Sequence, residues 1–126
     1  MKDTILIYHL ADDIRAKIED IAKDLDIVIR EIPDDQIHQK MGYLLQLEGY
    51  DVQEKNLLLA PMGQTFVFFA LNHDEQLDML LQLFRMKGIP HIPYKAILTK
   101  YNADYTFVQL YQSVANEYQQ FMNMKD

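Results

Sequence analysis

Two apolar runs constrain the fold of this chain more than any other feature of its sequence. Residues 5–10 read ILIYHL and residues 66–71 read FVFFAL, so each run is almost unbroken by polar side chains. A strand with one solvent-exposed face alternates apolar and polar residues, whereas a strand buried on both faces is apolar throughout. We therefore predict two central strands in a sheet that is covered on both faces.

Helical spacing of apolar residues follows each of these runs, and shorter β-branched or aromatic segments separate the helices. The predicted order is β-α-β-α, then a connector, then β-α-β-α. Alternating strands and helices favour parallel pairing, so we predict an α/β fold with a four-stranded, mostly parallel sheet and packed helices. A ferredoxin-like α+β arrangement is the alternative. The apolar residues of the further elements lie, in chain order, within residues 14–25, 27–29, 37–45, 77–84, 94–98 and 107–121. The second helix is expected to begin at Pro33-Asp34-Asp35 and to stop at Gly49.

The chain has 126 residues, which is enough for one domain with its own core. We expect a single domain over residues 1–126, built as two similar halves, 1–50 and 66–126, joined by a connector over 51–65. Leu57 to Leu59 are read either as a short edge strand or as an apolar loop.

Composition excludes several classes of function. The chain carries 12 basic and 19 acidic residues, a net charge of −7, and this disfavours binding to nucleic acid or anionic membranes. It has no cysteine, which rules out disulfides and cysteine metal sites. No export signal and no apolar run long enough to span a bilayer is visible. We expect a cytoplasmic protein with no cofactor.

Acidic pairs stand at three predicted helix starts: Asp12-Asp13, Asp34-Asp35 and Asp74-Glu75. Acids in a first turn complement the helix dipole, and this interpretation explains all three pairs. Alternatively, Asp12, Asp13 and Asp74 meet at the carboxyl edge of a parallel sheet and hold Mg²⁺. With Lys95 nearby, that arrangement would suit a metal-dependent phospho-acceptor or a small enzyme.

No motif for nucleophilic or phosphate chemistry accompanies these acids. The four histidines are spaced too widely for a helical ligand pair, and we expect His91 among them to be an ordinary surface residue. Ser113 is the single serine and lacks a nucleophile elbow. The four glycines are scattered and form no phosphate loop. We therefore predict no catalytic residue.

A local positive region interrupts the acidic sequence. No acidic residue occurs from Met79 to Ala103. This region predicts a docking surface for an acidic partner or an anion site, or simply a solvated helix end whose cations favour the dipole. Nucleic-acid binding through residues 85–100 is a weaker alternative. The cations are Arg85, Lys87, Lys95 and Lys100.

The last predicted helix, which we expect Asp104 to cap, has a narrow apolar stripe and a polar face of amides without charge. Interface cores are depleted in charge and enriched in aromatics, so this helix is a candidate contact in a homodimer or with another protein. The candidate interface residues are Tyr105, Val108, Gln112, Ala115, Gln119 and Met122.

Residues 66–118 carry the sequence GIP at 88–90 and IPYKAILT at 92–99, and with them resemble the bacterial Domain of Unknown Function 3783 family. The chain departs from the family pattern at Tyr94, where leucine is usual, and at Tyr105, where tryptophan is usual. The resemblance implies a small bacterial domain and brings no activity, cofactor or site residue. Taken together, the sequence favours a non-enzymatic protein-interaction or regulatory module.

Overall fold

The computed structural model describes residues 1–55 and 58–124. Within them the chain forms a four-stranded open sheet with packed helices. None of the helices in this part of the chain combines the length and the apolar character needed to cross a membrane. The elements are β1 (Thr4–Tyr8), α1 (Asp12–Asp24), β2 (Val28–Glu31), α2 (Met41–Leu44), β3 (Phe66–Ala70), α3 (Glu75–Met86), β4 (Lys95–Ile97) and α4 (Phe107–Asn123), with 3-10 turns at Asp34–Gln36 and Asn102–Asp104.

The strand order is β2-β1-β3-β4. Strands β1 and β2 run parallel, as do β3 and β4, whereas the central pair β1 and β3 is antiparallel, with Leu6 opposite Phe68. The predicted α/β fold with a mostly parallel sheet is confirmed, and the ferredoxin-like alternative is not what forms. The antiparallel central pair was not predicted.

Strand β3 begins at the end of the sheet where β1 and β2 finish, and it therefore runs against β1. Strand β2 finishes at the same end as Tyr8, and the connector also returns there, since the Met62 amide donates to the Tyr8 hydroxyl at 3.0 Å. A parallel β3 would begin at the opposite end, about 17 Å away for a strand of this length. Helix α2 has four residues and spans only about 6 Å, so it does not carry the chain there.

Helix α2 is shorter than the predicted second helix because the start of α4 holds the preceding backbone extended. The amide of Met41 donates to the carbonyl of Tyr105 at 2.8 Å, and the amide of Phe107 donates to the carbonyl of Gln39 at 3.0 Å. Lys40 consequently has extended backbone angles and cannot continue a helix. This bridge is a tertiary contact between residues far apart in sequence.

The sheet separates two apolar cores, and every residue of β1 and β3 is buried. One face packs against α1 and α3, and the other packs against α2 and α4. This confirms the prediction of two central strands covered on both faces. The strand residues facing α1 and α3 are Ile5, Ile7, Val67 and Phe69, and those facing α2 and α4 are Leu6, Tyr8, Phe66, Phe68 and Ala70.

The cap of α4 differs from the prediction. Thr106, not Asp104, is the N-cap: its hydroxyl accepts from the Gln109 amide, and the Gln109 side chain accepts from the Thr106 amide. Asp104 lies two residues before Thr106, at the end of a 3-10 turn. There it accepts a hydrogen bond from the Tyr50 hydroxyl at 2.9 Å. A Thr-x-x-Gln capping box satisfies two backbone amides at once.

The connector is held by side chains and not by strand pairing. Leu58 is exposed and Leu59 is half-buried, and neither lies in a strand, while Leu57 lies outside the described residues. The buried amide group of Gln39 accepts from the Gln53 amide at 2.8 Å and donates to the Gln53 carbonyl at 3.3 Å. The connector therefore adds no fifth strand among the residues described.

Truncation of Phe68 tests this architecture. Its side chain is fully buried on the central strand, so Phe68→Ala should lower the free energy of unfolding by about 3–5 kcal/mol. The control Met86→Ala removes a side chain that is 81% exposed and should change it by less than about 0.5 kcal/mol. Urea denaturation measures both, and equal losses would contradict burial of β3.

Candidate functional site

A cavity of about 320 Å³ lies between α3 and the strands β3 and β4. Its lining combines apolar side chains with three basic ones, and it contains no carboxylate. Ligand sites that hold drug-sized molecules start at about this volume, so the space suits one or two side chains better than a large cofactor. The lining residues are Val67, Phe69, Leu81, Phe84, Arg85, Ile89, Pro90, His91, Ile92 and Lys95.

Sheet register places the Lys95 side chain in this cavity. Lys95 pairs with Val67 in the parallel β3–β4 ladder, so both side chains point to the face covered by α3. The Lys95 ammonium donates to the carbonyl of Ile92 at 3.0 Å, and burial lowers the pKa of Lys95 below its ordinary value. A carboxylate entering the cavity would offset this loss of hydration and raise the pKa of Lys95 again.

The structure brings together only part of the predicted positive region. Arg85 and Lys95 line the cavity. Lys87 is exposed outside the lining, and Lys100 lies over the ring of Tyr101 at 5.1 Å. His91 also lines this cavity, and the residue is exposed. Its position in the acid-free segment was the sequence signal for this placement.

A second cavity of about 250 Å³ lies at the other end of β4, again on the face covered by α3. Phe69 lines both cavities, and each cavity lies between α3 and β4. We call the two cavities together the α3–β4 groove. The lining of its second cavity consists of Phe69, Leu71, His73, Asp74, Leu77, Ile97 and Leu98.

The structure does not bring the acids of the proposed Mg²⁺ site together. Asp12 and Asp13 lie in the first turn of α1, after the end of β1, while Asp74 precedes α3, after the end of β3. Because β1 and β3 are antiparallel, the carboxyl ends of these two strands lie at opposite ends of the sheet, measured along the strands. Among the described residues, no group of three acidic or histidine side chains is placed to hold a metal ion.

A hydrogen-bonded cluster that the sequence did not reveal forms at the end of β1. The Tyr8 hydroxyl donates to Oδ1 of Asp34 at 2.7 Å. Oδ1 of Asp34 also lies 2.7 Å from Nε2 of His9. The rings of Tyr8 and His9 stack with centroids 3.9 Å apart, while His9 adopts a φ of 54°. Nothing in the spacing of Tyr8 and Asp34, 26 residues apart, could have predicted this contact.

The Tyr8 hydroxyl is fully engaged in structural contacts. It accepts from the Met62 amide and donates to Asp34, so it joins β1, the connector and the turn after β2. Burial, and then the bond to Asp34, raise the pKa of Tyr8 well above its ordinary value. The hydrogen bond from Tyr8, and then that from His9, lower the pKa of Asp34. We interpret this cluster as a brace for the fold.

Removing the Tyr8 hydroxyl tests that interpretation. In Tyr8→Phe the pKa of Asp34 should rise toward its ordinary value of 3.8, because the main bond that lowers it is lost. The bond's stabilisation is present above pH 3.8 and disappears as the pH falls through the lower folded-state pKa. NMR titration of the Asp34 carboxyl measures the shift, with Tyr101→Phe as the exposed control. An unchanged pKa would refute the brace.

Helix α4 buries its first half and exposes its second. Its buried residues all lie within its first five positions, whereas Phe121, Met122 and Met124 near its end are exposed. Of the predicted interface residues, Val108 and Ala115 pack partly against the core beneath α4. The others are exposed: Tyr105, Gln112, Gln119 and Met122.

Comparison with known proteins gives one match, over the second half of the chain. Residues 65–121 match the model of a protein family described as Domain of unknown function (DUF3783). No curated protein and no solved structure matches the chain significantly. The matched segment contains every residue that lines the α3–β4 groove. The family match indicates a domain of unknown function and assigns no activity.

Proposed function

We propose that this protein is a non-enzymatic protein-interaction module that regulates through binding, and that it docks an acidic partner protein at the cationic cavity. The observation that carries the proposal is the lining itself: Arg85, His91 and Lys95 stand around an apolar cavity without a carboxylate, on a chain of net charge −7. An acidic partner is attracted to this patch while the rest of the surface repels it, which orients the encounter.

Two alternatives receive less support. A metal-dependent phospho-acceptor needs Asp12, Asp13 and Asp74 close together. Asp12 and Asp13 follow the end of β1, whereas Asp74 follows the end of the antiparallel strand β3, at the opposite end of the sheet. A nucleic-acid binder needs many phosphate contacts, whereas the cavity offers three basic side chains on an acidic chain. The proposed setting is the bacterial cytoplasm, as the cysteine-free, acidic composition and the family resemblance led us to expect.

Charge removal at the cavity tests the docking proposal. The probe is a fluorescent glutamate–valine peptide of sequence Glu-Thr-Val-Thr-Val, and its binding should weaken about fivefold in Arg85→Gln and in Lys95→Gln, since each loses one ion pair. Fluorescence anisotropy at low and high salt measures the affinities.

The matched control is Lys87→Gln, which removes the same charge from the end of α3 outside the cavity and should leave binding nearly unchanged. A lysine–valine peptide should not bind, and a single-stranded oligonucleotide should not compete. Equal losses in all three variants, or tighter binding of the oligonucleotide, would refute the proposal.

We also propose that the protein forms a homodimer through the exposed second half of α4. Phe121, Met122 and Met124 provide apolar surface there, and the amides of Gln112 and Gln119 provide uncharged hydrogen-bonding groups. This combination fits an interface in which charge is depleted. The net charge of −7 opposes association of two copies.

Light scattering at two salt concentrations tests the dimer. Because salt screens the repulsion between copies, the dimer should strengthen at high salt. The double variant Gln112→Lys and Gln119→Lys places four cations in a symmetric interface and should give a monomer. The control Gln82→Lys changes an exposed amide on α3 and should leave the dimer intact. A wild type that stays monomeric at high concentration would refute the proposal.

A further inference from the structure

Strand β4 is an edge strand whose outward-facing backbone groups can be identified from its hydrogen bonds. The amide of Val67 donates to the carbonyl of Tyr94 at 3.1 Å, and the amide of Leu98 donates to the carbonyl of Phe69 at 2.9 Å. Backbone groups of alternate strand residues point to the same side. Tyr94 and Leu98 therefore face β3, while Lys95 and Ile97 point their amides and carbonyls away from the sheet.

Three of these outward groups have no hydrogen-bond partner among residues 1–55 and 58–124: the amide and carbonyl of Lys95 and the amide of Ile97. The carbonyl of Ile97 is occupied, because it accepts from the Asn102 side chain at 2.8 Å. Before the start of the strand, Pro93 has no amide hydrogen to donate to a further strand. The open edge is thus confined to Lys95–Ile97.

The open edge runs beside the α3–β4 groove. Lys95 lines the first cavity and Ile97 lines the second, and the two side chains lie on the same face of the strand. Side chains two residues apart in a strand are separated by about 6.6 Å. A strand added beside β4 would present its own alternate side chains to the groove at the same spacing.

We propose that the acidic partner presents an extended segment that adds to β4 as a fifth strand. Two of its apolar side chains, two residues apart, occupy the two cavities, and a carboxylate two residues further along, on the same face of the strand, meets Arg85, His91 and Lys95. Strand addition to a sheet edge is a recurrent mode of peptide recognition in which backbone bonds supply affinity and alternate pockets supply specificity. This inference rests on the proposed function and specifies the conformation of the bound segment.

Charge complementarity selects an acidic segment over a second copy of this chain. Lysine on an edge strand discourages pairing between identical edges, because it places like charges together. Two β4 strands side by side would bring two copies of Lys95 into one ladder. The ammonium of the half-buried Lys95 donates to the neutral carbonyl of Ile92. An acidic strand would supply a carboxylate to it instead.

Amide exchange provides a residue-specific test. On binding of the glutamate–valine peptide, the amides of Lys95 and Ile97 should exchange at least about tenfold more slowly, because each gains a hydrogen bond. The amides of Ala96 and Leu98 already point to β3 and should change little. Protection of Lys95 and Ile97 that rises with protein concentration without peptide would instead show pairing of two copies and overturn the proposal.

Backbone methylation of the peptide separates strand addition from charge attraction. Two peptides carry N-methyl groups on alternate residues, one on the threonines and the other on the glutamate and the valines. One of the two should lose about tenfold or more in affinity and the other should bind normally, because only one set of amides faces β4. Equal affinities of the two peptides would overturn strand addition.

The variant Ile97→Pro removes one outward amide hydrogen while leaving the bonds to β3 in place, and it should weaken binding as the damaging methylation does. The peptide experiments decide the question if this variant fails to fold. Binding that depends on Arg85 and Lys95 but ignores methylation would retain the proposed docking function and refute strand addition alone. Absence of any charge-dependent binding would refute both.

Discussion

The antiparallel pairing of β1 and β3 is the contact on which the rest of the structure depends. It joins the two parallel strand pairs into one sheet and gives both central strands a partner on each side. Their residues are then buried on both faces, which removes most of the apolar surface of the two continuous runs from water. The connector returns to the end of the sheet where Tyr8 lies, so β3 starts there and runs against β1.

This direction also decides which chemistry the sheet can assemble. With β1 and β3 parallel, the acids after each strand would share one edge and could hold a cation. Because the strands are antiparallel, Asp12 and Asp74 lie near opposite ends of the sheet. Asp12 stands at the start of α1, and Asp74 stands just before α3. The same arrangement puts β4 at the outer edge of the sheet, next to the end of α3. There the chain places Arg85 and Lys95 around an apolar cavity.

The site was only partly predictable for a physical reason. Arg85 and Lys95 were singled out because the acid-free segment is visible as a local pattern. His91 stands in the same segment, but only the fold places this exposed residue at the cavity. The separation of Lys87 and Lys100 from the cavity depends on which way each side chain points from α3 and from the turn after β4. The cluster of Tyr8, His9 and Asp34 is a contact between distant segments, and no spacing in the sequence encodes it.

The sequence by itself determined the order of strands and helices, the central positions of β1 and β3, and the acidic background with its one positive segment. These follow from periodicity and composition, which are local properties of the chain. Only the tertiary structure decided the direction of β3, the shortening of α2 by the backbone of Tyr105 and Phe107, and the groove beside β4. Each of these results from hydrogen bonds or packing between residues far apart in sequence, and such contacts leave no periodic signal in the chain.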